Sequence, residues 1–174
     1  MSASATRVAM RAFGLLPEAV RQRIVRLLKP SYTVGAGCLI ERGDEVLLVQ
    51  TAYRRGWGMP GGLLNRRENP ADGARREVRE ELGLDVALLD DPIVVIDRRM
   101  QKIDIVYRAT AEVPDDLAQL RPSAEITAVR WFHRDALPPL QPEAIDAIAT
   151  LSDDDHGADR LRIAGPRSGR PGQG

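Results

Sequence analysis

Apolar positions follow one rhythm up to about residue 30 and a different one from Tyr32 onward. In the first stretch Leu16, Ala19, Val20, Ile24, Leu27 and Leu28 recur at helical spacing, while Arg21, Arg23, Arg26 and Lys29 occupy much of the remaining surface. Residues 1–29 therefore predict a basic amphipathic helical segment. From Tyr32 the apolar residues alternate or run together, which predicts strands over 32–40 and 45–50 around a hairpin-like turn at Arg42-Gly43-Asp44. Shorter runs predict strands at 86–89, 93–96, 102–113 and 125–132, and the pattern from Pro142 to Leu151 predicts a closing helix. Strands interleaved with helices point to a layered α/β domain over residues 30–151. Residues 152–174 open on Asp153-Asp154-Asp155 and continue with Gly, Pro and Arg in quick succession, the composition of a disordered tail.

The strongest helical signal lies between the second and third predicted strands. Asn69 followed by Pro70 starts a helix, because Asn can accept from a free backbone N–H and Pro needs none at that position. Gly83 would stop it. Ala71, Ala74, Val78 and Leu82 then form one apolar stripe, and Glu77, Glu80 and Glu81 gather in the adjacent sector. Three neighbouring carboxylates repel one another unless a cation sits among them, and oxygen-rich sets of this kind suit hard ions such as Mg²⁺ or Mn²⁺. The plainer alternative is a solvated helix laced with weak ion pairs such as Arg76 with Glu80. The preceding Trp57-Gly58-Met59-Pro60-Gly61-Gly62 argues against it, since glycines let bare backbone approach a ligand or metal.

Composition narrows the field further. A chain of 174 residues is one domain by size. A formal net charge of zero gives no overall field toward nucleic acid, so no stable nucleic-acid complex is expected. The lone Cys38 excludes an intramolecular disulfide and a cysteine zinc site, and reads as a buried, inert thiol. No apolar run suffices to span a bilayer or to form the core of a secretory signal, so the expected compartment is the cytoplasm. A basic amphipathic helix at residues 1–29 also suits a membrane surface or a transit peptide. Packing on the domain or on a second subunit, as in a homodimer, is the favoured expectation.

Residues 62–84, GLLNRRENPADGARREVREELGL, resemble in order and spacing the signature of the Nudix hydrolases, G-x5-E-x7-R-E-U-x-E-E-x-G-U with U a bulky aliphatic. Gly62, Glu68, Arg76, Glu77, Val78, Glu80, Glu81, Gly83 and Leu84 match every fixed position. The resemblance is carried by residues 56–84 and extends from about Tyr32 to Leu151. It implies a mixed sheet sandwiched between helices, and hydrolysis of a nucleoside diphosphate linked to another group: a nucleoside triphosphate, ADP-ribose or a sugar nucleotide. It further implies that Glu77, Glu80 and Glu81 hold Mg²⁺ or Mn²⁺, with a backbone carbonyl of Gly61 or Gly62 as a neutral ligand. Arg76 would orient Glu77 or its neighbours by a bidentate pair, and Glu68 would support the ligands from behind.

Some members of the family recruit a later acidic residue as ligand or general base. Glu125 is the candidate, with Glu112 and Asp104 as weaker rivals. For the substrate, Arg54 and Arg55 suit phosphates, and Tyr53 or Trp57 suit stacking on a base, although Trp57 beside Gly58 equally suits packing. Markers of ADP-ribose and dinucleoside polyphosphate hydrolases are not evident in Asp97-Arg98-Arg99-Met100-Gln101. A nucleotide-binding regulator without turnover is the alternative function. Such a module would be expected to have lost box carboxylates, and this chain retains them.

Overall fold

The computed structural model describes residues 7, 10, 11, 13–28, 31–89, 91–152 and 163–164, which divide into two compact units, Met1–Tyr32 and Thr33–Gly174. In the first unit helix α1 spans Glu18–Leu28. Its first turn closes on Pro17, whose carbonyl accepts from the N–H groups of Val20 and Arg21 at 3.0 and 3.1 Å. The side chains of Arg26, Leu27 and Leu28, and the whole of Lys29, lie outside the described residues. Among the described residues no helix is long and apolar enough to cross a membrane.

The second unit is built on an eight-stranded mixed sheet. Its strands are β1 (Thr33–Arg42), β2 (Glu45–Thr51), β3 (Gly61–Leu63), β4 (Val86–Leu88), β5 (Ile93–Asp97), β6 (Lys102–Ala111), β7 (Ile126–His133) and β8 (Ile163–Ala164). They lie in the order β7-β2-β1-β6-β5-β8, with β3 on β1 and β4 on β6. β1 runs parallel to β6, and β5 parallel to β8. Helices α2 (Pro70–Leu82) and α3 (Pro142–Ser152) complete the unit.

Two apolar clusters explain the layering. Ala36, Cys38 and Ile40 of β1 and Leu47 and Val49 of β2 pack with Ala74, Val78 and Leu82 of α2. The alternate residues Leu39, Val46 and Leu48 pack with Ala147, Ile148 and Leu151 of α3. Successive side chains on a strand face opposite ways, so β1 and β2 are apolar nearly throughout because they are covered on both faces. The result is the α/β/α sandwich that the sequence implied. Burial pushes the Cys38 thiol up to about 12, with a smaller opposing effect from Arg75, so Cys38 stays an unreactive part of the core.

The sequence expectations need adjustment at three places. β3 falls where only a glycine loop was foreseen: three residues are too few to show a period, and pairing with β1 supplies what the sequence does not. β7 begins at Ile126, which leaves Glu125 in the turn before it. Most of the expected disordered segment 152–174 lies outside the described residues, but Ile163 and Ala164 within it add a strand along the edge of β5, parallel to Val94 and Val95.

Candidate active site

The candidate site starts where β3 meets α2. Both ends of α2 are fixed locally: Asn69 accepts from Ala71 N–H at 2.9 Å, and Gly83, at φ 71°, turns its own N–H back to Arg79 O. Thus anchored, the helix lies so close to β3 that a Cβ on Gly62 would stand 2.6 Å from the Glu77 carboxylate. Only glycine leaves that carboxylate its place. One residue earlier, Gly61 N–H donates to Glu81 Oε2 at 2.9 Å.

Arg76 organises the acids around it. Its Nε and Nη2 donate to the two oxygens of Glu68 at 2.7 and 3.0 Å. Nη1 reaches Glu77 at 2.8 Å and Glu80 at 3.0 Å, and Nη2 also donates to the Leu63 carbonyl at 3.2 Å. The bidentate partner of Arg76 is therefore Glu68, whereas the sequence pointed to Glu77 or its neighbours. The cause is geometric: the Nε–Nη2 edge matches the two oxygens of one carboxylate, and a single Nη1 is left for the helix neighbours. Bonds from Arg76 and then from Asn65 N–H hold the Glu68 carboxyl down at about 2.

Glu81 is the acid under most strain. Burial first, with Glu77, Glu125 and Glu80 adding repulsion, pushes its carboxyl up to about 7 against the opposing Gly61 N–H. Its charged form is thus disfavoured while no cation stands beside it. A cation beside it would favour the charged form, and a set of carboxylate and backbone oxygens matches a hard divalent ion. The donor set fits such an ion. Among the described residues no three such side chains already converge as a metal cage: Arg76 engages Glu77 and Glu80, and Gly61 engages Glu81.

Glu125 comes close through backbone pairing. A bulge between Gln50 and Thr51 shifts the β2–β7 register beside Ile126, Ala52 N–H donates to Glu125 O at 2.9 Å, and Ser123 N–H donates to Glu81 O at 2.9 Å. The turn is thereby tied to the end of α2, and the exposed Glu125 carboxylate acts electrostatically on Glu81 and Tyr53. Glu112 lies beyond the end of β6, exposed and outside this group.

A pocket opens beside Gly61 and Glu81, lined also by Tyr53, Arg54, Lys102, Asp104, Gln141 and Glu143. Arg54 reaches it already paired with Glu143, through Nη1 to Oε1 and through Nη2 to Oε2 at 3.0 Å. Lys102 Nζ stands 2.9 Å from Asp104 Oδ1. Burial pushes the Asp104 carboxyl upward and Lys102 opposes it. Arg55 is exposed and lies outside the pocket lining. Trp57 packs edge-on against Phe132 at 4.8 Å between ring centres, in the apolar cluster beneath α3, so its bulk serves the core. Lys102, Gln141 and Glu143 escaped the sequence reading, and Asp104 entered only as a rival base. The one local signal was the i, i+2 spacing of Lys102 and Asp104, which puts both on one face of a strand.

Comparison with known proteins places this geometry in context. The NUDIX domain profile matches residues 31–151. The chain is 33% identical over 109 residues to the m7GpppN-mRNA hydrolase dcap-2 of Caenorhabditis elegans, a match covering 61% of this chain and 14% of that protein. It is 31% identical over 100 residues to a MutT-like protein of Streptomyces ambofaciens, covering 58% of this chain and 62% of that one. A NUDIX hydrolase from Nitrosomonas europaea superposes with a TM-score of 0.65 at 25% identity, covering 79% of this chain and 81% of the other. The chain thus corresponds to a small part of the decapping relative and to somewhat under two thirds of the MutT-like one.

Proposed function

The chain belongs to the Nudix family, its NUDIX domain spanning residues 31–151, and from that premise we propose that it is a metal-dependent hydrolase of the pyrophosphate bond in nucleotides. Its substrates would be nucleoside diphosphates joined to a further group: nucleoside triphosphates, ADP-ribose or sugar nucleotides. The observation that supports this most is the placing of Glu77 against Gly62 and of Glu81 against Gly61, with Glu80 linked to Glu77 through Arg76 and the Glu81 carboxyl pushed upward by burial. In this reading Glu77, Glu80 and Glu81 hold the ion with backbone from Gly61 or Gly62, and Arg76, braced by Glu68, positions Glu77 and Glu80. A bound Mg²⁺ or Mn²⁺ supplies charge neutralisation on the phosphates and a more acidic water. Glu125, exposed in the turn tied to the end of α2, would accept the proton of the attacking water.

A phosphate-release screen of nucleoside triphosphates, ADP-ribose, sugar nucleotides and dinucleoside polyphosphates, each with Mg²⁺, Mn²⁺ or chelator, tests the proposal. Turnover of at least one class with metal and none in chelator is expected. Flat results throughout at micromolar enzyme would instead favour a nucleotide-binding regulator.

A further inference from the structure

Beside the Gly61–Glu81 contact the pocket holds a second set of charges built on different terms. Lys102 and Asp104 project from one face of β6 into space that Gly35 of the neighbouring β1 leaves free: a Cβ on Gly35 would stand 2.5 Å from Asp104 Oδ1. The Asp104 side chain is 13% exposed and that of Lys102 30%, so this is an ion pair largely withdrawn from water. Asp104 Oδ1 takes the ammonium, and among the described residues no donor is bonded to Oδ2. Across the pocket Arg54 and Glu143 use both guanidinium ends and both carboxylate oxygens on each other. Asp104 is therefore the acid there with acceptor capacity to spare. Tyr53, 69% exposed, offers an aromatic face at the rim.

Charge limits what this part of the pocket can hold. Glu81, Asp104 and Glu143 face only Lys102 and Arg54 within the lining, so there is no surplus positive charge for a second anionic group. A flat, neutral group carrying donors and acceptors on one edge fits instead, which is the description of a nucleobase. Among the bases, guanine presents two adjacent donors, N1–H and the N2 amino group, to a carboxylate, while its O6 accepts from an ammonium. Adenine and cytosine turn a ring-nitrogen acceptor toward the carboxylate. Uracil has one N–H flanked by two carbonyls that the carboxylate repels. We propose that Asp104 and Lys102 read the edge of guanine, making guanine nucleotides the preferred ligands of this pocket. The inference rests on the hydrolase reading only for calling such a ligand a substrate.

The test is calorimetric titration of the full chain with the α,β-methylene diphosphates of guanosine, inosine, adenosine, cytidine and uridine, in Mg²⁺, with turnover measured separately. The guanosine compound should bind at least about tenfold more tightly than those of adenosine, cytidine and uridine, the scale of one good bidentate contact. Inosine, which lacks only the N2 amino group, should bind about fivefold or more weakly than guanosine, a comparison that needs no variant. Asp104→Asn should erase the guanosine–inosine difference and favour adenosine, because an amide offers one acceptor and one donor to the adenine edge. Equal binding of guanosine and inosine by the wild type, or a uniform loss over all five ligands in Asp104→Asn, overturns the proposal. Guanine preference without turnover of any pyrophosphate would overturn the hydrolase reading and leave this one standing. Turnover without base preference would do the reverse.

Discussion

The protein around Gly61 has two walls that manage charge in opposite ways, and of the first only Gly61 and Glu81 line the pocket itself. On the wall formed by β3 and α2, one guanidinium is shared by Glu68, Glu77 and Glu80, while Glu81 has a single backbone N–H and is pushed up to about 7. On the wall formed by β6 and the start of α3, each acid has a cation of its own: Lys102 for Asp104, Arg54 for Glu143. The first wall is short of positive charge and the second is balanced. A wall in deficit gains from an added ion, and removing one of its acids should cost function while relieving repulsion. A balanced wall should respond to substitution with changes of selectivity or modest losses of stability.

The widest separation between the walls is expected for Glu81→Gln, which keeps shape and removes the charge. Turnover should fall by orders of magnitude while circular dichroism stays unchanged; near-normal activity with the usual metal requirement would remove Glu81 from the site. Glu125→Gln should lower turnover about a hundredfold, the scale of a lost proton acceptor, with partial recovery as pH rises. Glu112→Gln is its mild control, and if the two variants behave alike the base has been misplaced. Arg76→Lys keeps the charge but loses the fork on Glu68, so metal affinity, read by titrating activity with Mg²⁺, should weaken about tenfold to a hundredfold.

A smaller effect concerns the metal-free protein. The fold raises the Glu81 carboxyl from 4.5 to about 7, so its contribution is fully present below pH 4.5 and is lost as pH rises through 7. Compared in chelator, wild type should lose ground to Glu81→Gln between pH 5 and pH 8, by about 3 °C in melting temperature or more. A difference independent of pH would contradict this account. Least of all, Glu143→Gln should cost under about 1 kcal/mol, because the Arg54–Glu143 pair is partly open to solvent; thermal melts in low and high salt measure it.

The two walls also differ in how far the sequence discloses them. The first occupies residues 61–81 in one stretch, and its helix declares itself through Asn69-Pro70 at one end and Gly83 at the other. Spacing along a helix fixes direction, so the grouping of Glu77, Glu80 and Glu81 is legible in the order of residues alone. Which acid takes the fork of Arg76 is not, because it depends on how the loop from Leu63 to Glu68 folds back. The second wall is assembled from distant segments: Arg54 meets a glutamate 89 residues away, and β6 reaches the pocket only by pairing with β1. Local patterns cannot report such encounters. Trp57 shows the same limit from the other side, since its neighbour Phe132 lies on β7, and the β2–β7 pairing together with the bridge of Val49 to Gly58 brings the rings together.

The parallel pairing of β1 with β6 has a consequence in time. Parallel neighbours cannot be joined by a tight turn, and here everything from the β1–β2 hairpin to the β5–β6 turn, α2 included, is spent on the connection between them. On the ribosome, α2 with its acids is therefore synthesised well before the strand that completes the sheet over which it packs. Until Lys102–Ala111 and then Ile126–His133 have emerged, the apolar stripe of Ala74, Val78 and Leu82 has only β1, β2, β3 and the following Leu84, Val86 and Leu88 to cover it. Such non-local closure slows folding.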